Sequence, residues 1–200
     1  MANNFVNGFA SIVTAGEFYQ SNASDTSTGP QTVYTANNGS SGVNSILIEL
    51  DAANTGTAGC SVTAFVQDTS ATLGTISSVI SSSDVATVTT ASAHGLKVGM
   101  YVNVTGSTTD YVNGMYKVAS VPSATTFTYA QNSSAADGTA AGTILIYKAY
   151  HVVKDAPLPS GSTLKIVAGQ KIVLNSNDKV LAYASVGTVD MIAGVLQEVT

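Results

Sequence analysis

The sequence predicts an all-β fold, a β-sandwich of jelly-roll or Ig-like type, and three observations point there. Apolar and polar residues alternate over short runs, as along residues 61–67 and 84–90, which is the period of a half-buried strand. Clusters of Asn, Gly, Ser and Pro punctuate those runs every 8–12 residues or so, the spacing of a sandwich or barrel. No segment longer than about ten residues keeps a 3.6-residue period between helix caps.

The elements follow in order. Residues 5–13 suit a strand, 21–30 read as a polar loop, and the first 30 residues together suit an arm ordered on assembly. Residues 31–36 form the next strand. A turn at 37–42 (Asn-Asn-Gly-Ser-Ser-Gly) leads to a strand at 43–50, and a turn at 53–59 leads to a strand at 61–67. Beyond residue 72 the style changes: 75–131 carry their own short strands, and 132–142 are a flexible polar stretch. Strands are then expected at 143–153, 163–167, 180–185 and 189–199, with a turn at 157–161 (Pro-Leu-Pro-Ser-Gly).

Composition narrows the class. Hydrophobic residues make up 44% of the 200 and charged residues only 10%, against about a quarter in soluble domains. No apolar run approaches the ~18 residues of a membrane span, so no membrane partner is expected. Seven Lys and no Arg against twelve acidic residues leave a net charge of −5. Without Arg there is no bidentate fork for phosphate or guanine, so no direct nucleic-acid partner is expected. The single Cys60 permits neither an intramolecular disulfide nor a thiolate metal cluster. The first residues show neither a basic n-region nor an apolar h-region, so synthesis in a cytoplasm is expected, with any other location reached by assembly.

The most distinctive stretch is the middle. Asp84-Val-Ala-Thr-Val-Thr-Thr90 precedes Ala93-His-Gly-Leu-Lys-Val-Gly99, then Tyr101-Val-Asn-Val-Thr-Gly106, Tyr111-Val-Asn-Gly-Met-Tyr-Lys-Val118 and Ser123-Ala-Thr-Thr-Phe-Thr-Tyr129. Gly95 and Gly99 permit positive φ in a tight connection, and Asn113-Gly114 is a strong turn signal. Leu96, Val102, Val104, Tyr116, Val118, Phe127 and Tyr129 fall on alternating positions that would fill one interior. This phrase order resembles a small β-module widespread in phage structural proteins, similar in pattern to the FCCH-type barrel of ubiquitin-activating enzymes. Met100 departs from that pattern, which often has an acidic residue there.

The resemblance implies a small β-barrel inserted in a strand-connecting loop, with residues 72–142 as the module and its flexible return linker. Residues 1–71 and 143–200 would then be a discontinuous host sandwich, with 72 and 143 close together at one hairpin end. Closing a long insert costs little entropy, since the cost grows only as the logarithm of loop length. Joined across the insert, Ser61–Asp68 continues into "ile-leu-ile-tyr-lys" at 144–148, "val-lys-asp-ala-pro-leu-pro" at 153–159 and a closing "val-leu-gln-glu-val-thr" at 195–200. That pattern resembles small virion proteins, particularly of marine phages.

Candidate chemistry was weighed residue by residue, and no catalytic, cofactor-binding or metal-ligating residue is assigned and no cofactor is expected. His94 is a lone histidine in a turn with no ligand at metal spacing, and a structural role is expected. His151 lies within a strand run and is expected to occupy one sheet face. Glu49 and Asp51 share a strand face and would hold a cation only if a loop supplied carbonyls; a solvated strand edge is expected instead. Asp178 suits an Asx turn, and Cys60 a buried position. Tyr147, Tyr150 and Tyr183 suit either a protein interface or the rim of the core. Glycosidase chemistry needs a carboxylate pair that is not evident, so no enzyme is expected.

The expected function is therefore that of a bacteriophage virion structural protein, a capsid decoration (cement) protein, located in the virion after assembly in the host cytoplasm. Its expected partners are other virion proteins, the major capsid protein or neck and tail proteins, and further copies of itself as a homo-oligomer, with a trimer as one arrangement. The alternatives are a neck or tail component, or an adhesin whose module touches host glycans through Tyr101 and Tyr111.

Overall fold

The computed structural model describes residues 4–12, 29–36, 44–73, 75–108, 112–131, 138–185 and 188–199. Those residues are all-β. In chain order the strands are β1 (Asn4–Ile12), β2 (Gln31–Thr35), β3 (Asn44–Asn54), β4 (Cys60–Thr72), β5 (Ile76–Ser82), β6 (Val85–Thr90) and β7 (Tyr101–Ser107). They continue with β8 (Gly114–Ser123), β9 (Thr126–Ala130), β10 (Gly138–Thr139), β11 (Gly142–Leu158), β12 (Thr163–Leu174), β13 (Lys179–Ala184) and β14 (Val189–Val199). Residues 21–28 of the polar loop expected at 21–30, the turn expected at 37–42, and residues 132–137 of the polar stretch expected at 132–142 lie outside the described residues.

Two compact units divide the chain, which enters the second after Ser70 and returns to the first at Tyr150. The sequence places those changes at 72 and 142. The return falls later because β11 is one unbroken 17-residue strand, so the chain changes units inside a strand and not at the linker.

The first unit is a β-sandwich. One sheet has the order β1–β14–β3–β12, and β11–β4–β13–β2 form the other. Successive strands of this unit switch sheets at every step except β4 to β11, where the second unit intervenes. That wiring is a jelly roll's; in an Ig sandwich several consecutive strands, such as the first two and the last two, stay in one sheet. Between the sheets lie Leu47, Leu50, Val167, Leu174, Met191 and Val195 from one side and Val33, Val62, Ala64, Leu158, Val180 and Ala182 from the other. Tyr34 ties the layers: its hydroxyl lies 3.1 Å from Ser45 Oγ and accepts a 2.7 Å bond from Gln197 Nε2.

β1 departs from the expectation of an arm. Residues 4–12 pair with β14 in one continuous antiparallel register, Asn4 opposite Gln197 through Ile12 opposite Val189. The burial of Ile12 in the sandwich core explains why the strand stays on the sheet. The expected turn at 157–161 also shifts, since β11 runs through Leu158 and the reversal occupies 159–162, closed by Ser162 N–H on Pro159 O.

The second unit has the strand order β10–β5–β6–β9–β8–β7–β11, with its pairs antiparallel. Its core is separate: Val79, Ala86, Val88, Val112 and Ile146 pack with all seven residues that the alternation predicted, Leu96 through Tyr129. Tyr116 and Tyr129 stack there with ring centroids 4.2 Å apart. Leu73 N–H donates to Ile146 O, so the chain's entry into this unit lies beside β11. Gly95 and Gly99 have φ of 63° and 90°, the positive values expected of them.

Candidate functional site

On the outer face of the β1–β14–β3–β12 sheet side chains gather without a layer of described residues to cover them. Its pattern follows from register. Phe5 pairs with Leu196, Leu196 with Ile46 and Ile46 with Val173, so one row across all four strands is apolar. The next row holds Asn7, Gly194, Glu49 and Ala168; the one after it holds Phe9, Ile192, Asp51 and Lys165. Phe5 is 74% exposed, Phe9 66%, Val173 58% and Ile192 46%. Phe9 and Ile192 are paired neighbours, while Phe5 and Val173 end the apolar row with Leu196 and Ile46 between them; contiguous exposed apolar patches are a feature of interaction surfaces, and scattered single residues are not. An open depression of about 300 Å³ lies beside Phe9, Ala10 and Ser11 on β1 and Asp190, Met191 and Ile192 on β14.

A bulge sets which residues reach this face. Gly194 pairs with Glu49 but Val195 with Leu47, so Ile48 is the extra residue of β3. Burial accordingly changes phase, from Ser45 and Leu47 inward to Leu50, Ala52 and Asn54 inward. Glu49 and Asp51 therefore share the outer face, as their spacing predicted. β3 is an interior strand between β14 and β12, not the solvated edge expected. Lys165 Nζ lies 3.6 Å from Glu49 Oε1. Burial raises the Asp51 carboxyl above its usual range, the neighbouring Glu49 adds to this, and Lys165 opposes it. Among the described residues no group of three or more His, Cys, Asp or Glu is placed to hold a metal ion.

The remaining candidates disperse. His94, 5% exposed, accepts the Leu96 N–H at Nδ1 (3.0 Å) and meets Phe127 edge-on, so it pins the 93–99 turn to the second unit's core. His151 is half-buried on β11, tilted against Phe65; burial lowers its pKa, Lys154 adds to the lowering and Asp155 opposes it. Cys60 is half-buried at the start of β4 and its thiol is pushed up by burial. The three tyrosines do not form one surface: Tyr183 is buried, Tyr150 exposed and Tyr147 between. Tyr101 is half-buried, and Tyr111 lies outside the described residues.

Two buried polar residues do more than their sequence context signalled. The Asn113 amide behaves as a strand segment, Oδ1 accepting from Ser107 N–H and Nδ2 donating to Ser107 O, each at 2.9 Å. It thus extends the β7 ladder from the connection that leads into β8, where the Asn-Gly turn signal falls. Asp178 accepts from Asn175 N–H (2.9 Å), three residues before it and not two residues on as in the Asx turn expected, and also from Thr69 N–H (2.9 Å) and Thr69 Oγ1 (3.2 Å), which staples the turn to β4. Asn54 was not singled out at all. Its buried amide donates to Ala58 O and Leu158 O and accepts from Gly56 N–H, holding the β3–β4 loop against the end of β11. A lone Asn in a turn-rich stretch gives no sequence signal for so distant a partner.

No family model matches the chain, and neither a curated protein nor a solved structure matches it significantly.

Proposed function

We propose that the protein is a non-enzymatic bacteriophage virion structural protein, a capsid decoration protein that works through protein–protein contacts. The observation that carries this reading is the outer face of the β1–β14–β3–β12 sheet, where an apolar row runs from exposed Phe5 through Leu196 and Ile46 to exposed Val173, and exposed Phe9 and Ile192 pair two rows on. A sheet face of this kind gains by being covered, and many weak copies of such a contact add up on a particle lattice. The virion assignment draws on the sequence resemblance of the middle segment and of the host strands to phage structural proteins. The jelly-roll wiring is compatible with it, since viral capsid domains use that architecture, but so do lectins, and fold alone does not choose between them. The second unit supports the inserted-barrel reading through one detail: residues 138–140 bond to β5 while 141–149 bond to β7, so one segment bridges both sides of the strand set.

The test adds purified protein to particles assembled without it. Saturable retention on the particles, lost on substitution of Val173→Lys together with Ile192→Lys, is the expected result. Failure of the unsubstituted protein to bind particles, or equal binding by the substituted one, would overturn the assignment.

A further inference from the structure

The two edges of the β1–β14–β3–β12 sheet are unlike. β12 is protected in the ways natural edges are: it carries Lys165 and Lys171, and its register against β3 breaks twice, with Gly169 at φ 75° inside the second break. β1 has none of these devices. Its nine residues, Asn-Phe-Val-Asn-Gly-Phe-Ala-Ser-Ile, include no charge and no proline, and its register against β14 is unbroken. Among the described residues the backbone pairing of β1 runs to β14, with Ser11 Oγ donating to Asp190 Oδ1, and the sheet order ends at β1. The strand is held firmly from within: a side chain at Gly8 would come 2.5 Å from Val33 O, so β1 lies flat on β2.

We infer that this edge is a self-association site, at which β1 of one copy pairs antiparallel with β1 of a second copy about a two-fold axis at Asn7. The inference names the surface for the self-association in the reading above, and rests on that reading for nothing else. Strand residues of one parity share a face, so a two-fold at Asn7 sets Phe5 of each copy opposite Phe9 of the other, with the two Asn7 side chains between them. Both aromatic pairs then lie on the exposed outer face, where cross-strand aromatic pairs stabilise a sheet most directly. Self-complementarity favours a second copy as the occupant. The strand carries Phe at equal distances on either side of Asn7, and because β1 presents no charged residue it is an approach along which the repulsion between two chains of net charge −5 is least. The products are a continuous eight-stranded sheet and a closed dimer, because an isologous contact uses up both edges.

Sedimentation equilibrium of the full chain, over dilutions from about 100 μM to about 1 μM, reads the association directly. The unsubstituted protein should show the mass of two protomers at the upper end. Substitution of Phe5→Lys with Phe9→Lys should weaken self-association by about a hundredfold or more, because lysines then face lysines across the axis. Since both phenylalanines are exposed, the fold should survive, which far-UV circular dichroism checks. The decisive arm mixes that protein with a chain carrying Phe5→Glu and Phe9→Glu: each alone should be monomeric, and the equimolar mixture should regain the mass of two. An unsubstituted protein that stays monomeric, a mass of three protomers, a lysine variant that still dimerises, or a mixture that stays monomeric would each overturn the inference. Particle binding is read separately, so dimerisation and the virion assignment can fail independently.

Discussion

At the scale of single residues, the buried polar groups hold the connections and give the sharpest mutational expectations. Removing the Asn113 amide strips both ladder bonds from Ser107, so Asn113→Ala should cost about 1–3 kcal/mol in denaturant unfolding. Asp178→Ala leaves the N–H groups of Thr69 and Asn175 without their carboxylate and should cost about 3 kcal/mol, whereas Thr69→Val removes only the hydroxyl shared between Asp178 Oδ1 and Ser176 O and should cost about 1 kcal/mol. Asp51 gives the pH dependence. Its folded pKa lies above the unfolded value of 3.8, so the group favours folding fully below that value. The advantage is lost as pH rises through the folded pKa. Asp51→Asn should therefore raise Tm at pH 7 by about 1–2 °C and leave it unchanged near pH 3, read by calorimetry at the two pH values.

At the scale of elements, close backbone approach decides what the strands tolerate. Gly106 in β7 has φ 80°, and a side chain there would run into the carbonyl of Thr143 at the start of β11. Gly106→Ala should cost about 2–4 kcal/mol, positive φ and overpacking together, by the same unfolding measurement. Nothing local to the sequence marks Gly106 apart from the chain's other glycines, because the constraint comes from a strand nearly forty residues away. What was legible was periodic: the alternation at 84–90 and 123–129 placed Phe127 and Tyr129 in the core, and the strand at 61–67 appears within β4. What was not legible was where alternation fails. The Ile48 bulge inverts the faces of β3, and the outer-face rows of Phe5, Leu196, Ile46 and Val173 arise from pairing between distant strands. Asn113-Gly114 falls at the connection into β8, as a turn signal does, but nothing local signals the bonds of the Asn side chain to Ser107.

At the scale of the whole molecule, each unit has its own core, and no buried residue of one cluster belongs to the other unit. Replacing residues 71–149 with a short Gly-Ser turn should therefore leave a chain that unfolds cooperatively with β-type circular dichroism. Aggregation or an unfolded spectrum would show that the first unit needs the second. The β1–β14–β3–β12 sheet of the first unit carries one apolar row on its outer face and an uncharged edge strand, β1, and the proposed function rests on these as a repeated contact surface. The copy number of the protein in purified virions, measured by quantitative mass spectrometry against the major capsid protein, tests this most directly. Hundreds of copies per particle are expected of a decoration protein. Its complete absence from particles would contradict the account.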